Sequence, residues 1–543
     1  MRDTVLHLPI SDMDVECMHY ISVFLEGRRI FEFYAGITEG EPDYYVPLYL
    51  AGAAGKAVTL SCTEEDAPEA LFRGVSAGGK IEERRDLYPD VYREEGRQQV
   101  HFSSRRGWLN DPNGLVFIDG KFHLSYQHNP FCPNHDSVNV SWGLAVSEDG
   151  VHYTEYPDAV RPFDTTHTIA SGSAILDTDD LLGYGPDTVI AAYTDYWCQG
   201  YRGRTTYPVR GQLTAYSTDG GFSFTPCADH PVIPIEPGTS WRDPKILRVK
   251  KGELCIAVYE TYEGRNCVSF YTSENCRDWT FRSRSMDLFE CPDLFPLPVM
   301  ESGETLWVLY GAGGQYRVGT FEDFNFRELP GGGFLDYGDA VYAGQTWNSH
   351  PDETCRYHIA WIRDAAGETW HYNPAYNKGQ AFRQSMTVQC RLTLHKAADG
   401  YRLYRVPTER FAELRKERIP ADPAFAAFPD GNRTAELPLF VPGDAELTLT
   451  GEKAFACTVG EHGFTYMPEQ RLLRFTGGKE YTLENGLPFS MRVVTDVRSV
   501  EFFIGKEISA SYTDLSSEKC LTVTGKDVSV TGDVWKLESI WKE

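Results

Sequence analysis

The sequence SEDGVHY at residues 147–153 recurs in altered form as STDGGFSF at 217–224 and SENCRDW at 273–279. Each copy has a serine, then an Asp or Asn two residues later, then an aromatic residue, and each follows an apolar, strand-like stretch. This pattern is typical of a hairpin turn that is repeated once per structural unit. The segment from His101 to about Pro407 holds roughly five such units, which predicts a five-bladed β-propeller, although stacked sandwiches also carry such repeats.

The composition favours short strands over helices along the whole chain. Aromatic residues make up 13% of the 543 residues, and the chain has 49 Gly and 31 Pro, which commonly form turns between strands. Alternating apolar and polar residues predict a small N-terminal β-sandwich at residues 1–92 and a second β-sandwich at 434–543, on either side of a propeller at 93–410. Residues 411–433 are predicted to be a linker whose first half carries the one plausible helix. The predicted fold class is therefore all-β.

The charge balance and the cysteines indicate which partners and which cellular compartment to expect. The formal net charge of −26 repels nucleic-acid phosphates and anionic membrane surfaces, so neither is expected as a partner. The first residues lack a cationic start followed by a long apolar run, and we expect neither export nor membrane insertion. Thirteen cysteines without a C-x-x-C pair indicate reduced thiols in a cytoplasmic protein. The sequence leaves a homodimer open.

Four histidines lie close together in sequence without the regular spacing of metal ligands, and no metal site is predicted from them. They are His101, His123, His128 and His135.

Three acidic residues stand beside proline or within two residues of it, in apolar or aromatic surroundings. They are Asp111 in WLNDPNG, Asp243 in SWRDPKI and Glu290 in LFECPDLF. Taken singly, each fits a turn, a surface ion pair with Arg242 or a solvated bend. Taken together, they supply what cleavage of a glycosidic bond requires: one carboxylate to attack or stabilise the anomeric carbon, and one carboxylic acid to protonate the leaving oxygen. Since the three are far apart in sequence, each is expected to come from a different blade.

The stretch GWLNDPNG at residues 107–114 is predicted to form a tight turn. Pro112 fixes φ near the value that turns need, and Gly114 accepts positive φ without steric cost. The bend is expected to direct Asn110 and Asp111 into the funnel of the propeller.

With these motifs the chain resembles glycoside hydrolase family 32, the invertases, inulinases and levanases. Further segments resemble the family in the family's order, namely SYQHNP, ASGS, DYGDAVYAGQTW, RSVEFFIG and LESIW. The resemblance implies a five-bladed propeller followed by a β-sandwich. Residues 1–92 also resemble the small N-terminal β-sandwich of some bacterial levanase-like members, which favours fructans over sucrose as the substrate.

The resemblance also implies roles for single residues. Asp111 would be the nucleophile that forms a fructosyl-enzyme, Glu290 the acid and then the base, and Asp243 the stabiliser of the transition state. Substrate-binding positions are implied at Asn110, Gln127, Ser171, Arg242, His135, Tyr342 and Trp361. The implied reaction is hydrolysis, with retention, of a terminal β-D-fructofuranosyl bond in a carbohydrate such as a fructan, a fructo-oligosaccharide or sucrose. It needs no metal and no other cofactor.

Three positions depart from the family pattern at the expected wall of the pocket. Ala170 replaces an aromatic residue, Leu144 replaces a histidine, and His135 lies near the place of a tryptophan. Sucrose hydrolysis and fructosyl transfer therefore stay open, as does the preference for β-2,1 or β-2,6 linkages. A non-catalytic fructan-binding propeller and an inverting arabinan-degrading propeller are the remaining alternatives, and the three retained acids disfavour the first of them.

Overall fold

The computed structural model describes residues 4–11, 18–62, 71–131, 139–162, 165, 167–197, 209–227, 231–235, 240–363, 381–421, 433–526 and 528–541. Strands dominate this part of the chain, and its helical turns are three short 3-10 helices, Ile81–Glu83, Glu409–Leu414 and Pro468–Gln470. The predicted all-β class is confirmed. A search of the same residues finds no helix with the length and apolar character that a membrane crossing requires.

The N-terminal region contains two three-stranded antiparallel sheets, with the strand orders β4-β1-β6 and β3-β2-β5. The strands are β1 (Thr4–Ile10), β2 (Met18–Leu25), β3 (Arg28–Gly36), β4 (Tyr44–Leu50), β5 (Val58–Cys62) and β6 (Ser76–Ala77). Every second residue of β4 is buried, as its alternating sequence predicts. The two sheets share one apolar core, to which Leu8, Ile21 and Phe33 belong.

Five antiparallel sheets follow in chain order, and we call this part of the chain the five-sheet region. Its first two sheets are formed by β7 (Gly107–Ile118), β8 (Lys121–Asn129), β9 (Ser141–Ser147) and β10 (Thr154–Val160), and by β11 (His167–Leu176), β12 (Val189–Trp197), β13 (Val209–Ser217), β14 (Thr225–Pro226) and β15 (Ile233–Pro234). The third contains β16 (Trp241–Lys250), β17 (Glu253–Tyr262), β18 (Arg265–Ser273) and β19 (Thr280–Met286).

The fourth and fifth sheets complete the five-sheet region. The fourth contains β20 (Asp293–Pro298), β21 (Thr305–Tyr310), β22 (Gln315–Glu322), β23 (Asn325–Glu328) and β24 (Gly333–Phe334). The fifth contains β25 (Val341–Thr346), β26 (Arg356–Ile362), β28 (Ser385–Met386), β29 (Cys390–Ala397) and β30 (Gly400–Pro407), while β27 (Phe382–Arg383) pairs in parallel with β7 of the first sheet.

The repeated sequence occupies one position in each of the first three sheets, the connection from the third strand to the fourth. In each copy the Asp or Asn side chain accepts two backbone N–H bonds within the turn. Asp149 accepts from Val151 and His152, Asp219 from Phe222 and Ser223, and Asn275 from Arg277 and Asp278. The prediction of one such turn per unit is therefore confirmed for these three sheets.

Two six-stranded antiparallel sheets form the C-terminal region around a shared apolar core. Their orders are β31-β42-β33-β38-β39-β40 and β32-β41-β34-β35-β36-β37, with the bounds β31 (Arg415–Pro420), β32 (Arg433–Leu439), β33 (Gly443–Gly451), β34 (Phe455–Val459), β35 (His462–Met467), β36 (Leu472–Phe475), β37 (Glu480–Thr482), β38 (Phe489–Asp496), β39 (Ser499–Ile504), β40 (Ile508–Thr513), β41 (Lys519–Gly525) and β42 (Val528–Leu537).

The helix expected in the first half of the 411–433 linker is wrong. The 3-10 helix ends at Leu414, and the chain then continues as β31, which pairs with β42. The side chain of Arg415 explains the change, since it lies 4.0 Å from the centre of the Trp535 ring and forms an ion pair with Asp444 at 2.7 Å. These contacts hold the segment on the edge of the sheet. The other predicted domain limits stay predictions.

Candidate active site

The stretch at residues 107–114 forms the first part of β7. The tight turn predicted there is wrong, because the residues continue along one twelve-residue strand. The pairing of β7 with β8 shifts register between Leu109 and Pro112, so Asn110 and Asp111 lie in a bulge. A bulge tolerates proline, which has no N–H for the ladder, and it re-aims the side chains of its extra residues.

Two glycines allow β7 to approach its neighbours closely. A Cβ atom at Gly107 would lie 1.9 Å from the backbone oxygen of Asn129, and one at Gly114 would lie 2.8 Å from the ring of Trp142. Both residues have positive φ, +78° and +53°. The glycines of the motif therefore serve the packing of a bulged strand rather than a turn.

A bulge like that of β7 also occurs in the first strand of three other sheets. Register shifts occur between Ile169 and Gly172 in β11, between Arg242 and Lys245 in β16, and between Tyr342 and Gln345 in β25. Ser171 and Asp243 lie inside two of these bulges. Glu290 lies just before β20, and φ is positive at Asp243, Glu290 and Cys291, at +64°, +48° and +39°. Such values are rare outside glycine and are found where surrounding structure imposes them, often at functional sites.

The three predicted acids come together around one thiol and one guanidinium group. The Sγ atom of Cys291 lies 3.5 Å from Oδ2 of Asp111 and 3.5 Å from Oδ2 of Asp243. The backbone N–H of Cys291 also donates to Asp243 at 3.2 Å. Arg242 lies 3.7 Å from Asp243 and donates from Nε to Glu290 at 3.1 Å. Three sheets thus supply one cluster of carboxylates.

A chain of hydrogen bonds connects Asp111 to two of the predicted binding residues. Gln127 Nε2 donates to Ser171 Oγ at 2.8 Å, and Ser171 Oγ donates to Asp111 Oδ2 at 2.6 Å. Oδ1 of Asp111 and both amide atoms of Asn110 are buried without a hydrogen-bond partner among the described residues. Buried polar atoms rarely stay unpaired in a working protein, so this group marks a place for a polar ligand or water.

Glu290 stands apart from the other two acids in its exposure and its partners. Its side chain is 20% exposed, against 6% for Asp243. Tyr342 donates from its hydroxyl to Oε2 of Glu290 at 2.5 Å, and the ring of Trp361 meets the Tyr342 ring edge-on, with the centres 6.2 Å apart. Trp361 donates in turn to Gln384, which the sequence analysis did not single out. Glu290 therefore lies where a leaving group could reach it.

Burial raises the pKa values of the two aspartates in the cluster. Burial raises the pKa of Asp111 to about 7, and the charge of Asp243 adds to the effect. Burial also raises the pKa of Asp243 to about 6, although the Arg242 charge opposes it. Burial raises the pKa of the Cys291 thiol well above its usual range, so the thiol stays protonated and can donate its one hydrogen to either carboxylate.

The departures from the family pattern have different fates in the structure. Leu144 packs in an apolar cluster with Val146 and Ala159, so the expectation that it changes the pocket wall is wrong. Its position on β9 places it with the core of the first sheet. Ala170 lies in the β11 bulge, where its backbone oxygen accepts a bond from Trp142 Nε1 at 2.9 Å. His135 lies outside the described residues.

Cys291 and Gln384 are the site residues that the sequence analysis missed. Neither gives a sequence signal of its own, because a cysteine beside an acid and a glutamine before a short strand are both common. A glutamine at positive φ, +71° here, is visible only in the backbone.

Comparisons with known proteins identify the family and the fold of the chain. The family model described as "Glycosyl hydrolases family 32 N-terminal domain" matches residues 101–407. A levanase of Bacillus subtilis is 32% identical over 60% of this chain, and the match spans 48% of that protein. A levanase of Bacillus sp. is 26% identical over 97% of this chain and 60% of its own length. The crystal structure of an exo-inulinase from Aspergillus awamori shares the fold, with a TM-score of 0.69, 23% identity and coverage of 83% of this chain and 100% of that one.

Proposed function

The chain belongs to glycoside hydrolase family 32, and from this premise we propose that it is a glycosidase that releases terminal β-D-fructofuranosyl units from fructans or fructo-oligosaccharides. The observation that carries the proposal is the meeting of Asp111, Asp243 and Glu290 at Cys291 and Arg242, beside unpaired buried polar atoms. The relatives include levanases, exo-inulinases and invertases, and the match to a levanase over 97% of this chain and 60% of that protein supports fructans as the substrate.

In the first step Asp111 attacks the anomeric carbon of the fructosyl unit while Glu290 protonates the leaving oxygen. The new bond joins Asp111 to the sugar, and the proton of Glu290 leaves with the alcohol. In the second step Glu290, now a carboxylate, takes a proton from water, whose oxygen displaces Asp111. Two displacements at one carbon give net retention. Arg242 and Tyr342 are placed to stabilise the carboxylate form of Glu290 between the steps.

The first step needs Asp111 as a carboxylate and Glu290 as a carboxylic acid. Sugar hydroxyls that donate to Asp243 would stabilise its charged form. The bonds that Ser171 and Cys291 donate to Asp111 favour its carboxylate form in the same way.

The five sheets are proposed to close into a five-bladed propeller with the acids at its centre. The first and last sheets meet directly, because the backbone of Asn348, just after β25, accepts from Phe117 at 3.0 Å and donates to Leu115 at 3.0 Å in β7. Ser173 of β11 bridges to β16 through the backbone of Pro244 and Ile246, at 2.8 and 2.7 Å. These contacts between the first strands of neighbouring sheets support the proposal.

The test is release of fructose by the purified protein from levan, inulin, short fructans and sucrose, with Asp111→Asn as the control. We expect release from levan or inulin that exceeds release from sucrose, and a loss of at least about 1,000-fold in kcat for the variant. Methanol as a second acceptor tests the stereochemistry, because retention yields the methyl β-fructofuranoside. No fructose from any substrate, or a fully active variant, would refute the proposal, and an α-product would refute retention.

A further inference from the structure

The N-terminal region touches the five-sheet region through the edge strand β3. The ring of Phe33 stacks on the ring of Phe131, with the centres 4.4 Å apart and the planes at 16°. The next residue, Tyr34, donates from its backbone N–H to Asn139 Oδ1 at 2.9 Å, and its backbone oxygen accepts from Asn139 Nδ2 at 2.6 Å. The Asn139 amide therefore satisfies both backbone groups of one residue on an open sheet edge, as a neighbouring strand would.

The preceding residue of β3 makes a third anchor. Oε2 of Glu32 accepts a hydrogen bond from Thr165 Oγ1 at 2.9 Å. Thr165 is 7% exposed, Asn139 5% and Phe131 3%, so all three anchored residues are buried at this contact. Three consecutive residues of β3, Glu32, Phe33 and Tyr34, thus contact three separate segments of the chain. We call these three residues the β3 clamp.

Two of the contacted segments flank the strands that carry Gln127 and Ser171, and the third, at Asn139, lies just before β9 with its Nδ2 atom 3.5 Å from Oδ1 of Asn129 at the end of β8. Phe131 lies just beyond the end of β8, four residues after Gln127, and Thr165 lies just before β11, six residues before Ser171. Ser171 lies in a bulge, where the ladder to β12 is interrupted. Because a bulged residue is not fixed by ladder bonds on its own, its position depends on how the strand is held at its ends.

We propose that the β3 clamp is a positioning element that holds β8 and β11 in the register at which Gln127, Ser171 and Asp111 form their hydrogen-bond chain. The inference rests on the proposed function and gives the N-terminal region a part in catalysis without contact to the substrate. The charged and titratable groups around Asp111 are Asp243 of β16, Glu290 and Cys291 before β20, and the Ser171 hydroxyl is a donor that favours its ionised form.

Kinetics on levan or inulin test the clamp with the double variant Thr165→Val/Asn139→Ala. We expect kcat/KM to fall about 10-fold or more and its acidic limb to move to higher pH, because Asp111 loses a donor to its carboxylate. Thr165→Ser, which keeps the hydroxyl, should stay within about twofold of the wild type. Ile21→Ala, in the core of the N-terminal region, controls for a general loss of stability there.

A double-mutant cycle with Ser171→Ala asks whether the clamp acts through Ser171. In that background we expect the double variant to cost less than about twofold, since the bond it weakens is already gone. An equal loss in both backgrounds, or an equal loss in Ile21→Ala, would overturn the proposal.

A crystal structure of the double variant provides a readout that does not depend on turnover. The distance from Ser171 Oγ to Asp111 Oδ2, 2.6 Å here, should exceed hydrogen-bonding distance. An unchanged distance would refute the clamp even if the wild type is active. A wild type that releases no fructose would refute the proposed function instead, and the lengthened distance would still support the clamp.

Discussion

Two groups of buried acids in this chain differ in how many donors reach them. In the active-site cluster, Oδ1 of Asp111 has no hydrogen-bond partner within the described ranges, and its Oδ2 atom has one hydroxyl and one weak thiol donor. The second group lies between the five-sheet region and the C-terminal sheets, and we call it the interface cluster. It consists of His101, Asp336, Arg405, Asp496 and Glu501.

The interface cluster matches every carboxylate with donors. His101 lies between two acids, with Nδ1 2.9 Å from Asp496 and Nε2 2.8 Å from Glu501, and all three side chains are fully buried. Asp336 accepts from both hydroxyls of Ser509 and Ser511, at 2.9 and 2.7 Å. The bonds of His101 tie β38 and β39 to the segment before β7, and those of Asp336 tie β40 to the segment before β25.

The pKa of Glu501 moves in the opposite direction from those of Asp111 and Asp243, although all three carboxyls are buried. Burial raises the pKa of Glu501, but the hydrogen bond from His101 and the charge of Arg405 outweigh it, so the net pKa is lowered. Burial lowers the pKa of His101, yet its hydrogen bonds to Asp496 and Glu501 raise it to about 9. At Asp111 and Asp243 burial prevails and the pKa is raised. Burial therefore raises the pKa of an acid only where the donors around it are too few to offset it.

The largest expected effect is a loss of enzymatic activity from a substitution in the active-site cluster. Glu290→Gln should lower kcat on levan or inulin by about 1,000-fold or more, because the leaving sugar then departs without a proton. The apparent Tm should change little, since Glu290 is partly exposed. An aryl β-fructofuranoside with an acidic phenol as its leaving group needs no proton in the first step, so its kcat/KM, which reports that step, should fall far less than the kcat/KM on levan or inulin. Equal losses of kcat/KM on both substrates would contradict the role of Glu290 as the acid.

The second largest expected effect is a loss of stability from a substitution in the interface cluster. Glu501→Gln should lower the free energy of unfolding by about 3–5 kcal/mol, because it leaves Arg405 and a protonated His101 buried with one acid fewer. Below the unfolding transition, kcat should stay within about twofold of the wild type. Thermal unfolding and steady-state kinetics on the same sample check both statements. A variant with the wild-type Tm and a reduced kcat would show that Glu501 contributes to catalysis rather than to stability, which contradicts the distinction between the two clusters.

The sequence singled out three acids that lie together in the structure, but it did not separate the two clusters. Asp111, Asp243 and Glu290 stand out because proline and apolar or aromatic neighbours accompany an acid in each case. Yet Asp336 in DYGDAVY and Glu501 in RSVEFFIG also lie in segments that resemble the family, and they belong to the interface. A sequence motif identifies important acids, but the contacts that each acid makes with distant strands determine whether its role is catalytic or structural.

The features that escaped prediction are those set by pairing between strands. A bulge is a mismatch of register between two strands, so GWLNDPNG alone could not distinguish a bulged β7 from a turn. The place of Leu144 in the core and the contact of Cys291 with two acids depend likewise on neighbouring sheets. The repeated turns were predictable because their hydrogen bonds close within a few residues of Asp149, Asp219 and Asn275.

A third prediction uses pH to probe the shortage of donors. Asp111 must be ionised to attack, and its pKa is raised to about 7, so kcat/KM should fall as pH drops below about 7. The decline should approach about tenfold per pH unit and steepen where Asp243, with a pKa raised to about 6, also takes a proton. A rate profile from pH 4 to 9 measures it. A kcat/KM that stays level down to pH 5 would contradict the raised pKa of Asp111 and the shortage of donors around its carboxylate.

The smallest expected effect is on the free energy of unfolding, which the buried Asp111 carboxylate lowers at neutral pH. A carboxyl whose pKa is raised on folding binds its proton more tightly in the folded state, so the folded state loses stability as pH rises from about 4 through about 7. Asp111→Asn removes this penalty, keeps the shape of the side chain and retains an acceptor for Ser171. We therefore expect the variant to gain about 1–3 kcal/mol at pH 8 and almost nothing at pH 4, as measured by denaturant unfolding at both values. A loss of stability at pH 8 would mean that the bonds from Ser171 and Cys291 outweigh desolvation, and the two clusters would then differ in position rather than in their supply of donors.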